Sequence, residues 1–466
     1  MGALSLGKTI VWAAAALVAL GLSGCAGRPT GNLVVVSASA PGASIVDMFV
    51  ATTRADVSDP PGVMFNGERA PGLAFADIAV SIPPDSVRKI GEVEWPSTPP
   101  GDPARDFVTV RADRLDLKQA VAAFNGRLLK LKPSDRHVLL FVHGYNTRFE
   151  EAVYRFAQIA HDAGAPVVPV LFTWPSRGKL FDYVYDRESA TYSRDALESL
   201  LQQMVKNPNV TEISVLAHSM GNFVTVEAIR QMAIRNHGMS PKIKDIMLAS
   251  PDIDFDVFRR QIAEIEASDK SPPVTLFVSR DDKALAASSL IAGSEPRLGL
   301  IDPHAEPYKA ILEQARVNVV DLSAIKSDDA TNHSKFAQSG VVTAIGQRLA
   351  AGQTLTDART TLGERIGGVA QSAAGTLGQA ATLAVSAPLA VVDPNTRETL
   401  EDQAVSLGTS AKSTIASPLT AATSGSGPPI CEETAISDQS TDSAAASGSI
   451  GLTDCKSSRV AARGQH

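Results

Sequence analysis

Six short apolar runs, at 138–142, 167–172, 213–216, 246–249, 274–278 and 317–320, constrain this chain more than any other feature. They are mostly β-branched or Leu-rich and lack the in–out alternation of strands wetted on one face, so they suit strands buried on both faces. Between the first two runs, Phe149, Ala152, Val153, Phe156, Ala157 and Ala160 recur at the spacing of a single helical stripe. Ala190, Leu197, Leu200, Leu201 and Met204 make a second stripe before the third run. Parallel strands need a crossover between them, and a helix supplies it, so alternating runs and stripes predict a mostly parallel sheet. The expected class is α/β, a mostly parallel central sheet with helices on both faces. Ligands of such sheets gather at the carboxyl ends of the strands.

The candidate chemistry falls at those ends. Leu216-Ala217-His218-Ser219-Met220-Gly221-Asn222 follows the third run and precedes a helix beginning near Asn222. This strand, serine, helix order resembles the G-x-S-x-G nucleophile elbow of the α/β-hydrolase fold, with Ala217 in place of the first Gly. Small residues two before and two after the serine are required because the turn brings strand and helix close together. The turn lifts the Ser219 hydroxyl into a cleft and aims the unpaired N–H groups of a helix start at a developing oxyanion. Phe141-Val142-His143-Gly144-Tyr145-Asn146, after the first run, resembles the H-G-x loop of the same fold. That likeness assigns the oxyanion hole to the backbone N–H groups of Tyr145 and Met220, with Gly144 letting the main chain turn close to substrate. His143, Gly144, His218 and Trp174 are the substrate-cleft candidates.

A serine hydroxyl needs a base, and in this fold the partners follow in the order Ser, acid, His. His333 lies after the last apolar run and before a closing helical pattern at Val341, Val342, Ile345 and Leu349, where the base belongs. His304 precedes that run and reads as a surface residue, and His466 ends the chain. Asp281 and Asp282 follow the run at 274–278, the usual place for the acid, while Asp252 and Asp254 follow the run before it, a known variant position. By position Asp282, Asp281 and Asp252 all stand as candidates for the acid; the choice among them rests on the family resemblance below, which favours Asp282.

Further stretches carry a closer resemblance. Phe49-Val50-Ala51-Thr52-Thr53-Arg54, Phe172-Thr173-Trp174-Pro175-Ser176-Arg177-Gly178, Ser250-Pro251-Asp252-Ile253-Asp254 and Asp282-Lys283-Ala284-Leu285 are similar to marks of a bacterial α/β-hydrolase family of unknown function, grouped with esterases and lipases. The resemblance covers roughly residues 45–350 and implies the fold and a Ser219, His333, Asp282 triad. It says little about what is cleaved, because members largely lack assigned substrates. The expectation is a serine hydrolase acting on an acyl ester or related small molecule. The rival is a non-catalytic cell-envelope binding module on the same scaffold. No cofactor is expected: neither a metal-ligand spacing such as H-E-x-x-H nor a phosphate-cradling G-x-x-x-x-G-K-[ST] loop occurs. A net charge of -7 without any Lys/Arg run argues against nucleic acid as a partner.

The ends read differently from the middle. Residues 1–24 form an expected lipoprotein signal peptide, with Lys8 ahead of an apolar run at 10–22 that is too short to span a bilayer as a helix. Leu22-Ser23-Gly24-Cys25 resembles the lipobox of bacterial lipoproteins, which implies cleavage before Cys25 and a lipid on its thiol. Several acyl chains anchor a protein stably where one does not. The expected location is therefore the bacterial cell envelope, membrane-anchored and facing periplasm or exterior; Ala26 after the cysteine suggests the outer membrane by resemblance to sorting rules. Residues 25–44 read as a tether and 45–350 as the hydrolase domain. Within that domain, the section before residue 138 reads as leading strands and loops packed onto the alternating strands and helices. Residues 351–423 read as an Ala/Thr/Ser-rich, weakly helical extension interrupted by Pro388 and Pro394, and 424–466 as a disordered tail. Cys431 and Cys455 in that tail are candidates for a disulfide in an oxidising compartment.

Overall fold

The computed structural model describes residues 30–350 apart from Ala38, Asp269 and Asp328. The expected signal peptide, Cys25, the 351–423 extension and the 424–466 tail with Cys431 and Cys455 lie outside the described residues. In chain order the strands are β1 (Ser44–Asp56), β2 (Phe65–Ile82), β3 (Val108–Leu115), β4 (His137–Val142), β5 (Val168–Thr173), β6 (Glu212–His218), β7 (Ile243–Ala249), β8 (Val274–Val278) and β9 (Asn318–Asp321). The helices are α1 (Leu117–Leu129), α2 (Phe149–Ala163), α3 (Tyr183–Lys206), α4 (Met220–Asn236), α5 (Phe255–Glu266), α6 (Lys283–Ile291), α7 (Tyr308–Gln314) and α8 (Ser339–Ala350).

All the described strands join one sheet in the order β3-β2-β1-β5-β4-β6-β7-β8-β9. From β1 across to β9 the neighbours are parallel, and only β2 and β3 run antiparallel to theirs. Side chains alternate between the two faces of a strand, and here both faces are covered. Val138, Leu140 and Val142 of β4 enter a core with Ala190, Leu197 and Leu201 of α3 and Met220 and Val224 of α4. Leu139 and Phe141 enter the opposite core with Val153, Phe156 and Ala157 of α2 and Val341, Val342 and Ile345 of α8. Each fully buried side chain of this size contributes roughly 1.5–3 kcal/mol over leaving it in water. Burial on both faces is why the central strands read as unbroken apolar runs.

Three expectations about the leading section need correction. β1 pairs in parallel with β5, so the leading strands extend the central sheet and are not a layer packed onto it. β3 and α1 are elements that the sequence alone does not single out: after Val110 the strand is charged, and Arg111 and Arg114 reach Asp77 on β2 and Asp56 on β1. Part of the expected 25–44 tether, Gly31 to Leu33, is buried against the domain. Leu33 is buried, the Asn32 carbonyl accepts from the Tyr154 hydroxyl at 2.8 Å, and Val36 N–H bonds the Thr109 carbonyl at 2.9 Å.

Candidate active site

Ser219 sits between β6 and α4 at φ 54° and ψ -124°, a conformation that a residue with a Cβ adopts only under constraint. The constraint is visible. Ser219 N–H bonds the Ala249 carbonyl at 3.0 Å, and the Ser219 carbonyl accepts from Asp252 N–H at 3.2 Å and Asn222 N–H at 3.1 Å. The Asn222 side-chain amide then donates to both Ser219 O at 2.9 Å and Ala249 O at 2.8 Å, tying the elbow to the end of β7. The sequence marks Asn222 only as a helix start; a polar residue in the otherwise apolar first turn is the one local signal of this role. Gly221 is obligatory, since a Cβ there would stand 2.3 Å from the His143 carbonyl. A Cβ on Gly144 would stand 2.7 Å from that of Ser219, so the H-G loop and the elbow touch. Met220 is the first residue of α4, where helical N–H groups lack intrahelical partners.

His333 lies in the loop between β9 and α8, and Asp329 shapes that loop by accepting from the N–H groups of His333 at 2.9 Å and Ser334 at 3.0 Å. The His333 Nδ1 stands 2.7 Å from Asp282 Oδ2. Asp282 is buried and caps α6 with its other oxygen, which accepts from Leu285 N–H at 3.0 Å. Each carboxylate oxygen therefore has one task. Burial alone would lower the His333 pKa, but the Asp282 carboxylate beside it outweighs burial and holds it above the usual histidine value. His218 is half-buried beside this pair: its Nε2–H donates to the His333 carbonyl at 3.2 Å, and its ring lies 4.6 Å from those of His333 and Phe336. Burial, with His333 next to it, holds His218 well below the ordinary range and so neutral.

The alternative acids are engaged elsewhere. Asp281 pairs with the buried Lys335 at 2.7 Å and accepts from Ser279 and Asn332, bracing the His333 loop from behind. Asp252 accepts from the Tyr183 hydroxyl at 3.0 Å and from Ser288, and pairs with Arg297 at 3.3 Å. Neither shares a hydrogen bond with His333. Asp254 caps α5 through Val257 N–H. His304 is exposed, as expected.

Two cleft candidates are deeply buried. Trp174 is fully buried and His143 is 2% exposed. Their rings stack at 4.9 Å, the indole N–H donates to the His143 carbonyl at 2.8 Å, and the Trp174 backbone N–H donates to His143 Nε2 at 3.1 Å. They pack together beneath the backbone of the H-G loop. Beneath them lies Arg54 of β1, 1% exposed, the last residue of the Phe49–Arg54 motif and one to which the motif alone gives no task. Its guanidinium donates to the carbonyls of Ser176 at 2.8 Å, Thr147 at 2.8 Å and Asn66 at 3.1 Å, and lies 3.3 Å from His143 Nε2. Burial lowers its pKa to about 10. Burial first and Arg54 second hold His143 well below the ordinary histidine value. Asp186 joins this network, accepting from the Ser176 hydroxyl and from the N–H groups of Arg177 at 3.0 Å and Asn146 at 3.3 Å. Tyr145 is half-buried, with its hydroxyl on the Leu180 carbonyl and its ring edge-on to Tyr183 at 5.2 Å.

The arrangement couples a serine on a constrained turn, a helix start, and an imidazole oriented by a buried carboxylate. Among the described residues no cluster of three His, Cys, Asp or Glu is suited to a metal ion, and no helix is long and apolar enough to cross a membrane.

Comparison with known proteins gives three findings. The family model described as "Alpha/beta hydrolase of unknown function (DUF900)" matches residues 119–351. An uncharacterized protein of Nostoc sp. is 29% identical, over 22% of this chain and 33% of its own, so the chain spans about a third of the length of that curated relative. Two solved structures are similar over 47% of this chain. They are a lipase-esterase related protein from Clostridium acetobutylicum (11% identity, 96% of that chain, TM-score 0.26) and an esterase from Pyrococcus furiosus (13% identity, 84% of that chain, TM-score 0.29).

Proposed function

This chain belongs to the α/β-hydrolase family of unknown function whose model covers residues 119–351, and from that premise we propose that it is a membrane-anchored serine hydrolase that cleaves carboxylic esters. The observation that carries the reading is the 2.7 Å contact between His333 Nδ1 and the buried Asp282 carboxylate, in a loop whose carbonyl is bonded by the residue preceding Ser219. With Nδ1 bound to a carboxylate, Nε2 of the neutral ring is the lone pair available to a hydroxyl.

In the proposed reaction the Ser219 oxygen attacks the acyl carbonyl carbon while its proton passes to His333 Nε2. The carbonyl electron pair moves onto oxygen, where the N–H groups of Tyr145 and Met220 receive it. Asp282 stabilises the imidazolium. As the carbonyl re-forms, the alkoxide leaves with the proton from His333, and the acyl group stays on Ser219. Water then gives a proton to His333 and attacks the acyl ester; the carboxylic acid departs and Ser219 recovers its proton. Amides and thioesters would use the same parts.

The test is labelling by a fluorophosphonate together with hydrolysis of short-chain aryl esters. The wild-type protein should do both, and Ser219→Ala should lose both while keeping its melting temperature. Labelling that persists in Ser219→Ala would place the nucleophile elsewhere. A wild-type protein inert to the probe and to a broad ester panel would favour the binding-module alternative. Anchoring rests on the lipobox-like Leu22-Ser23-Gly24-Cys25. Metabolic labelling with a fatty acid should mark wild type but not Cys25→Ala, and equal incorporation would end that part of the proposal.

A further inference from the structure

The end of the sheet that carries Ser219 also carries a cation that, among the described residues, joins no ion pair. Arg187 lies on α3, four residues and thus about one turn after Tyr183, and is half-buried. Its guanidinium carbon stands 3.7 Å from the centre of the Phe223 ring. Phe223 is in the first turn of α4, four residues after Ser219, hence on the same side of the helix as the elbow. On its other side Arg187 Nη1 reaches the carbonyl of Asp252 at 3.4 Å, and the N–H of Asp252 is bonded to Ser219 O at 3.2 Å. Two separate contacts thus hold the guanidinium, one to the first turn of α4 and one to a residue hydrogen-bonded to the serine.

Its guanidinium is near Asp252 and Asp254 without being paired to either. Among the described residues Arg187 joins no ion pair, whereas Arg297 beside it takes Asp252 at 3.3 Å. The Asp252 oxygens are occupied by Tyr183, Ser288 and Arg297, and Asp254 is spent on capping α5. Burial lowers the Arg187 pKa; Tyr183, Asp252 and Asp254 oppose that effect and Arg297 adds to it. A guanidinium remains charged in such a setting and offers five N–H donors, of which one makes a single long bond here. Held over the Phe223 ring, a guanidinium keeps N–H donors of the kind that grip a carboxylate with two parallel bonds.

Resting on the Ser219 reading, we propose that Arg187 forms an anion subsite beside the nucleophile, so that the preferred substrate is an ester that also carries a carboxylate or similar anionic group. A neutral ester of the same size would leave this half-desolvated cation uncompensated.

The experiment uses the full-length protein and measures how monomethyl glutarate, an anionic ester, and dimethyl glutarate, its neutral counterpart, slow fluorophosphonate labelling. In parallel it compares kcat/KM for an aryl hemiglutarate and an aryl butyrate. Wild type should favour the anionic member in both assays. In Arg187→Gln the anionic-to-neutral ratio should fall by about tenfold or more, the typical worth of a charge-assisted hydrogen bond, and Arg187→Lys should retain part of the preference. Should Arg187→Gln fail to fold, Arg187→Lys and the salt dependence of wild type decide, since protection by the monoester must weaken as salt rises. Equal protection by both esters in wild type, a ratio unchanged in folded Arg187→Gln, or a preference indifferent to salt would overturn the proposal. Absence of any labelling or turnover in wild type would instead remove the Ser219 reading, and this inference with it.

Discussion

Two buried polar networks flank Ser219, and they are built in opposite ways. On the side of the loops after β8 and β9, the histidine that would act as base and the buried lysine each meet a carboxylate: His333 meets Asp282, and Lys335 meets Asp281. On the side of β1 and β5, the buried Arg54 meets carbonyl oxygens and a neutral histidine. The first network raises the pKa of its histidine; the second holds His143 far below the ordinary value. A carboxylate next to an imidazole stabilises the charge that a base acquires when it takes a proton. An arginine next to an imidazole forbids that charge and leaves the ring as a fixed hydrogen-bonding strut. One network is suited to moving a proton, the other to keeping a backbone loop still.

That contrast can be broken by substitution. The largest effect is expected from Asp282→Asn. Asparagine caps a helix about as well as aspartate, so α6 should hold and melting should change little. The amide no longer stabilises the imidazolium, and ester turnover should fall by about 10⁴-fold, as for the acid of a serine triad. Near-normal turnover in a stopped assay would reject the assignment. Arg54→Met should show the opposite profile, with stability as the main loss. It leaves the carbonyls of Ser176, Thr147 and Asn66 without their donor, and chemical denaturation should record a loss of about 3 kcal/mol or more; a value under about 1 kcal/mol would deny the strut. Lys335→Met, which strips Asp281 of its cation and loosens the His333 loop, should cost about 1–3 kcal/mol and lower kcat more than it raises KM. A change confined to KM would show that the loop does not position the base.

The same division separates what is legible in the sequence from what is not. β4 through β8 are legible because strands covered on both faces need unbroken apolar runs, and Ser219 because its turn is made by residues adjacent in the chain. His333 and Asp282 are legible through the order of partners along this kind of sheet. β3 is not, because its outer residues are selected to meet charges on β1 and β2 and so resemble a surface loop. α1 does carry a local signal, the reciprocal Asp116 and Gln119 capping pair. Sequence places Trp174 and His143 in the cleft because nothing near them in the chain announces Arg54, 89 residues before His143. Asn222, Asp329 and Lys335 likewise act through contacts that only the folded chain creates.

The most direct test of the account is the pH dependence of fluorophosphonate inactivation, in wild type and in Asp282→Asn. Labelling needs a neutral base, so its rate should fall as pH drops through the His333 pKa. Because that pKa is raised, the wild-type limb should lie above the ordinary histidine value of about 6.5, and in Asp282→Asn it should move down along with the lower rate. His143 and His218, both held well below that value, cannot supply such a limb. A wild-type limb at or below the ordinary value, or one that stays in place when Asp282 is replaced, would contradict the claim that Ser219 is activated by a histidine which Asp282 holds ready for a proton.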